Sequence, residues 1–291
     1  MSSKIINSKS SSEGELNGDL ERISAQSANC DTLARQLREL PAFRGLLRAV
    51  EARFYCDLPM PNPVLDLGCG DGHFASVALP QGIEIGLDPW WGPLQEADTR
   101  HYYGLLTHAV GAQMPFSRNT FGTVVSNSVL EHIPEVDPVI HEVARVLRPG
   151  GRFYFCVPGP NFRTFLSVAR ALDAVGLSGA AEAYRCLFDR ISRHYTYDDV
   201  PHWAARLSRA GLHLERSWAY FSKGALTALE WGHPLGLPSL FAKKLTGRWL
   251  IAPTRWNLAL TEALLRHYYE EPLPDEGAYL FFVACKPDAS L

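Results

Sequence analysis

Val64-Leu65-Asp66-Leu67-Gly68-Cys69-Gly70-Asp71-Gly72-His73-Phe74-Ala75 passes from a short apolar run, through alternating glycines, into a helical pattern. A brief apolar run bounded by turn residues reads as a buried strand. Glycines in the turn permit positive φ and let a ligand approach the backbone closely. The helix that follows offers unpaired N–H groups at its start. The stretch therefore predicts a strand, a ligand-cradling loop and a helix in direct succession.

Outward from it the same alternation continues. Ile83 to Asp88 reads as a second strand, Leu105 to Val110 as a third, Phe121 to Ser126 as a fourth and Arg152 to Val157 as a fifth. Helices are expected over His73 to Leu79 and Val136 to Leu147, the second stopped by Pro149-Gly150-Gly151. Strands alternating with helices predict an α/β, Rossmann-like sheet covered by helices on both faces. Later come a helix from Tyr197 to Ala210, a strand from Leu212 to Phe221 and a last strand from Ala278 to Lys286. Ahead of the core, Leu33, Leu37, Leu40, Phe43, Leu46, Leu47 and Val50 recur at helical spacing, with Pro41 dividing two helices.

The expected organisation is a disordered tail at 1–30, poor in aromatics, then cap helices at 31–60 and a cofactor-binding core at 61–158. A lid segment at 159–196 precedes a core helix and strand at 197–221. A helical insertion at 222–277 forms a substrate lid with its own helix from Trp256 to Tyr269, and the final strand and tail occupy 278–291. An insertion of that length is too long to be a structureless loop in a compact domain.

Composition narrows the class. The chain has 291 residues, 46% of them apolar and 20% charged, as in an ordinary globule. A net charge of −3 gives no bulk attraction to nucleic acid, and no nucleic-acid partner is expected. The six cysteines form no CxxC pair and read as reduced thiols. With no secretory leader and no apolar run of about 18 residues, the expected location is cytoplasmic. Oligomeric state has no signal in the sequence.

A glycine loop alone serves NAD, FAD or S-adenosylmethionine. The dinucleotide fingerprint spaces its glycines G-x-G-x-x-G, whereas these fall G-x-G-x-G. Asp88 closes the second strand, where a carboxylate can accept both hydroxyls of a ribose in either cofactor class. Taken in order, VLDLGCGDGHFA (64–75), Gly86-Leu87-Asp88, Gln113-Met114-Pro115-Phe116, FGTVVSNSVLEHI (121–133) and VLRPGG (146–151) resemble the successive motifs of class I S-adenosylmethionine-dependent methyltransferases of the methyltransferase-11 type. The likeness covers roughly a third of the chain.

The resemblance implies a seven-stranded mixed sheet with its last strand antiparallel, and S-adenosylmethionine as cofactor. It assigns Asp66 and the Gly68, Cys69, Gly70 and Gly72 loop to the methionine portion and Asp88 to the ribose. Pro89 or Trp90 would cover the adenine, Gln113 and Met114 would contact it, and Asn127 and Ser128 would line the methionine end. Two family features are missing: an acid in the loop occupied by Val110 and Gly111, and the Phe-Asp that is here Phe121-Gly122.

Methyl transfer to a hydroxyl uses a general base, and His132 and His194 are the candidates, with His73 behind them. No HxxH, HExxH or paired-carboxylate spacing appears, so no metal is expected. The aromatics and leucines of the insertion point to a small, partly hydrophobic or lipid-like acceptor, with O-methylation favoured. Lysines and arginines interleaved over 231–256 suggest a peripheral membrane contact. The competing readings are a non-catalytic S-adenosylmethionine-binding partner protein and an NAD-dependent oxidoreductase.

Overall fold

The computed structural model describes residues 31–79, 82–236, 245–246 and 254–288. The expected tail at 1–30 lies outside them, as does most of the 231–256 segment.

Seven strands form one sheet: β1 (Val64–Leu67), β2 (Ile83–Asp88), β3 (Tyr103–His108), β4 (Phe121–Asn127), β5 (Leu147–Pro158), β6 (His213–Tyr220) and β7 (Tyr279–Cys285). Their order is β3-β2-β1-β4-β5-β7-β6. The first five run parallel, and β7 lies antiparallel between β5 and β6. This is the mixed sheet expected, though β3 begins two residues earlier than the sequence suggests, at Tyr103.

Alternation along the buried strands sorts side chains to two faces. Val64, Val125, Tyr154 and Cys156 enter one apolar cluster, and Leu65, Val124, Phe153 and Phe155 enter the other. The first cluster is covered by α1 (Leu33–Leu37), α2 (Ala42–Tyr55) and α3 (His73–Ala78). The second is covered by α5 (Asp137–Val146) and α9 (Val200–Arg209), while α4 (Trp91–Asp98) packs beside β2 and β3. Pro41 separates α1 from α2, as its spacing foretold.

The 159–196 segment folds as α6 (Asn161–Phe165), α7 (Ser167–Ala174) and α8 (Ser178–Ser192). Phe162, Leu166 and Ala169 are fully buried and continue the first cluster, so this segment is anchored to the core. The described ends of the later insertion, α10 (Lys223–Leu235) and α11 (Arg255–Tyr269), pack on α1 and α2. Leu226, Leu229 and Tyr269 are their buried anchors. Among the described residues no helix is long and apolar enough to cross a membrane.

The thiol expectation needs one correction. Cys69, Cys156, Cys186 and Cys285 are free, whereas Cys56 is disulfide-bonded. Irregular spacing in sequence does not prevent folding from bringing two sulfurs together.

Candidate functional site

Strand order reverses between β1 and β4, and ligands of open α/β sheets bind beyond the carboxyl ends of the strands at such a point. The loops after β1 and β4 meet there.

In the first loop Gly68, Gly70 and Gly72 take φ of +79°, +55° and +71°. Backbone N–H groups of Gly68 and Cys69 both donate to the Leu87 carbonyl, which ties the loop to β2. A Cβ on Gly68 would strike Val129 at 2.5 Å, but one on Gly70 would meet nothing within 4 Å. Gly70 thus faces open space at the switch point. Cys69 is buried, and burial pushes its thiol up.

Asp88, at the end of β2, accepts the Gly70 N–H at 3.0 Å and the Trp90 N–H at 2.8 Å. Burial raises its carboxyl, and those two amides pull it back down. A carboxylate offers about four acceptor positions, so two amides leave room for two ribose hydroxyls. Asp66 is 6% exposed, and its Oδ2 accepts the Tyr103 hydroxyl at 2.7 Å. Burial lifts it to about 6, against the lowering effect of that hydroxyl. Trp90 and Trp91 stand exposed on the rim, while the Pro89 carbonyl contacts His108 Nε2 at 2.9 Å.

The expectation for Met114 changes. Its side chain lies in the apolar cluster, its N–H donates to Glu142 and its carbonyl accepts from Arg145. Two residues of α5 therefore clamp the loop from behind, while Gln113 beside it is exposed. The physical reason is ordinary: an unbranched apolar side chain beside an amphipathic helix gains more by burial.

Asn127 and Ser128 also differ from expectation. Their side chains turn to Glu51 of α2, Asn127 Nδ2 donating at 2.6 Å and Ser128 Oγ at 2.8 Å. Arg48 donates to the same carboxylate at 2.6 Å and the Tyr220 hydroxyl at 3.0 Å. Glu51 is fully buried, and a buried charge needs this many partners. Ser128 holds φ at +51°, unusual without glycine, because its N–H and hydroxyl are both engaged.

Beyond Ser128 a single 3₁₀ turn (Leu130–His132) carries Glu131 and His132. The His132 side chain is 41% exposed, and its Nδ1 lies 3.0 Å from the Arg193 carbonyl. That contact assigns the proton to Nδ1 and leaves Nε2 with a free lone pair. The His194 ring sits 5.4 Å from the His132 ring and edge-on to Phe162 and Tyr197. Burial lowers both imidazoles, His194 to about 3. Both are neutral at physiological pH. His73 is instead buried, its Nε2 2.9 Å from Gln36 Oε1 and its Nδ1 3.1 Å from the half-exposed Glu39 carboxylate, a structural role.

Although spacing gave no metal pattern, ligand atoms of Glu131, His132 and His194 lie within 4.8 Å of one another. Sequence reasoning named the histidines but missed Glu131, Glu51, Arg48 and Tyr103. Glu51 had a visible signal, since it occupies a core-facing position of an amphipathic helix between Leu47 and Phe54.

Residues 65–155 match the methyltransferase domain model. An uncharacterised methyltransferase of Mycobacterium sp. (strain KMS) is 31% identical over 139 residues, covering 41% of this chain and 55% of that protein. The ubiquinone biosynthesis O-methyltransferase of Vibrio cholerae is 30% identical over 109 residues, covering 35% of this chain and 44% of that protein. The chain thus spans about half the length of the curated relatives it matches. Among solved structures, phosphoethanolamine N-methyltransferase 2 of Haemonchus contortus, in complex with S-adenosyl-L-methionine, superposes with a TM-score of 0.51 at 19% identity. That match covers 84% of this chain and 53% of the other. The [4+2]-cyclase SpnF gives 0.51 at 18% identity, covering 84% and 82%. Residues 65–155 are thus similar to a methyltransferase domain, and the sheet shares its fold with these solved structures.

Proposed function

We propose that this chain transfers a methyl group from S-adenosylmethionine to a hydroxyl of a small, partly hydrophobic acceptor. The observation carrying the reading is the open cradle at Gly70, flanked by the buried carboxylates of Asp66 and Asp88. S-adenosylmethionine, when bound, supplies a methyl group on a cationic sulfur.

The chain's own residues have three tasks. Asp88 orients the ribose, while Asp66 faces the cationic amine of the methionine portion and becomes a better partner once ionised. The loop backbone approaches the ligand closely because Gly70 has no side chain. Holding donor and acceptor in line contributes up to roughly 7–11 kcal/mol.

The acceptor would lie between the glycine loop and the Glu131–His132 turn. The half-buried Tyr197 packs against His194, with Phe162 and Phe188 buried behind them, an apolar setting that supports a partly apolar acceptor. The neutral imidazole of His132, with Nε2 unprotonated, takes the acceptor's proton as the oxygen attacks. The alternative, cofactor binding without methyl transfer, draws on the same fold, and fold does not select a reaction. Incubation with labelled S-adenosylmethionine and a panel of phenols, hydroxy acids and apolar amines separates the two. Label appearing in an oxygen-methylated product supports the proposal. Cofactor binding without S-adenosylhomocysteine formation across the panel contradicts it.

A further inference from the structure

We infer that Glu131, His132 and His194 form a binding site for one divalent cation of the borderline class, such as Zn²⁺, Mn²⁺ or Co²⁺. Two imidazoles and one carboxylate are the donor set that such ions prefer over Mg²⁺ or Ca²⁺, which favour all-oxygen sites.

Three independent observations carry this. First, the potential ligand atoms gather within 4.8 Å, with Glu131 Oε1 at 3.9 Å from His132 Nε2. An ion held at about 2.1 Å in tetrahedral geometry draws its ligands to about 3.4 Å apart, a closure that side-chain torsions can supply. Second, the Glu131 side chain is 1% exposed, yet its Oε2 has no hydrogen-bond partner, and neither has the buried His194 Nδ1. Two orphaned polar atoms in one cluster need a common explanation, because each costs about 1–3 kcal/mol when left unpaired. Third, His132 already has the arrangement of a metal ligand: Nδ1–H donates to a backbone carbonyl and Nε2 points away free.

The charged groups facing the cluster are Arg48 and Arg44 from α2 and Arg193 beside His194, and Glu51 accepts from Arg48 at 2.6 Å.

What the ion does rests on the methyl-transfer reading; that it binds does not. An acceptor hydroxyl in an open coordination position would release its proton to solvent at lower pH. Its oxygen then forms the new bond to the methyl carbon while the carbon–sulfur bond breaks, the electron pair staying on sulfur. The ion thereby takes over the task otherwise given to the His132 imidazole.

The test uses the full, untagged chain after chelator treatment. Zn²⁺ and Mn²⁺ are titrated by calorimetry and Co²⁺ by visible absorption, with S-adenosylhomocysteine titrated in parallel. The expected result is one ion per chain and ligand-field bands of low-coordinate Co²⁺. E131Q, H194Q and H132Q should each weaken binding by more than the roughly tenfold that loss of a supporting contact costs. H132Q replaces a half-exposed side chain and keeps the test usable if E131Q fails to fold. No saturable binding by the wild-type chain, or binding unaltered in folded variants, overturns the site. Ion binding with silence toward S-adenosylhomocysteine would sustain the site and defeat the methyl-transfer reading instead.

Discussion

The two sides of the switch point are built in different ways. The cofactor side, from Asp66 to Asp88, is one contiguous strand–loop–helix–strand whose own backbone closes it: Gly68 and Cys69 on Leu87, Gly70 on Asp88. The acceptor side is assembled from distant pieces, with α2 supplying Arg48 and Glu51, the end of β4 supplying Asn127 and Ser128, and the turn after α8 supplying His194. A contiguous site tolerates loss of one contact as a local event. An assembled site depends on the buried hub that joins its pieces, and here that hub is Glu51.

The largest effect should come from breaking the hub. Glu51→Ala leaves Arg48, Asn127, Ser128 and Tyr220 without their shared acceptor, and stability should fall by about 3–5 kcal/mol in urea unfolding. A loss below about 1 kcal/mol would show that the two sides do not differ as described. Next is Asp88→Ala. Losing two hydroxyl contacts to a carboxylate should weaken S-adenosylhomocysteine binding roughly 100-fold, with a much smaller change in unfolding midpoint than Glu51→Ala produces.

Gly70→Ala comes third. A Cβ there meets no protein atom, so only the positive φ opposes it, at about 1 kcal/mol. The chain should stay folded while cofactor affinity drops roughly tenfold. Gly68→Ala makes the contrast, because its Cβ meets Val129 and the fold itself must shift.

The smallest effect is a pH dependence. Asp66 is raised from 3.8 to about 6, so its proton is held more tightly in the folded chain. It therefore lowers stability above pH 6 and ceases to do so below 3.8. Cofactor affinity should move the other way, falling a few-fold as pH drops through about 6, because the protonated carboxyl cannot pair with an ammonium group. Asp66→Asn should flatten that affinity profile without lowering the melting temperature at pH 8. A profile unchanged by the substitution would remove Asp66 from the cofactor's amine.

Legibility in the sequence follows the same division. Apolar periodicity and glycine spacing placed β1, β2, the glycine loop and Asp88 well, because each signal is local. The helices of 159–196 and α10 were seen only as insertions, since their apolar residues pack on surfaces made elsewhere: Phe162 on Tyr279 and Leu229 in the cluster beside α2. The burial of Met114 was not legible because its motif shows a loop but not the helix behind it, where Glu142 and Arg145 fix the turn. Glu131 gave no signal because His194, which lies beside it in the fold, arrives from far along the chain. Tyr103, whose hydroxyl binds Asp66, belongs to a strand whose start the periodicity placed two residues late.

The most direct test of the account is calorimetric titration of the full chain with S-adenosylmethionine, S-adenosylhomocysteine and NAD, alongside Asp88→Ala. Saturable binding of both adenosyl ligands, greatly weakened in the variant and absent for NAD, is the predicted result. A clear NAD signal with silence toward the adenosyl ligands would contradict it.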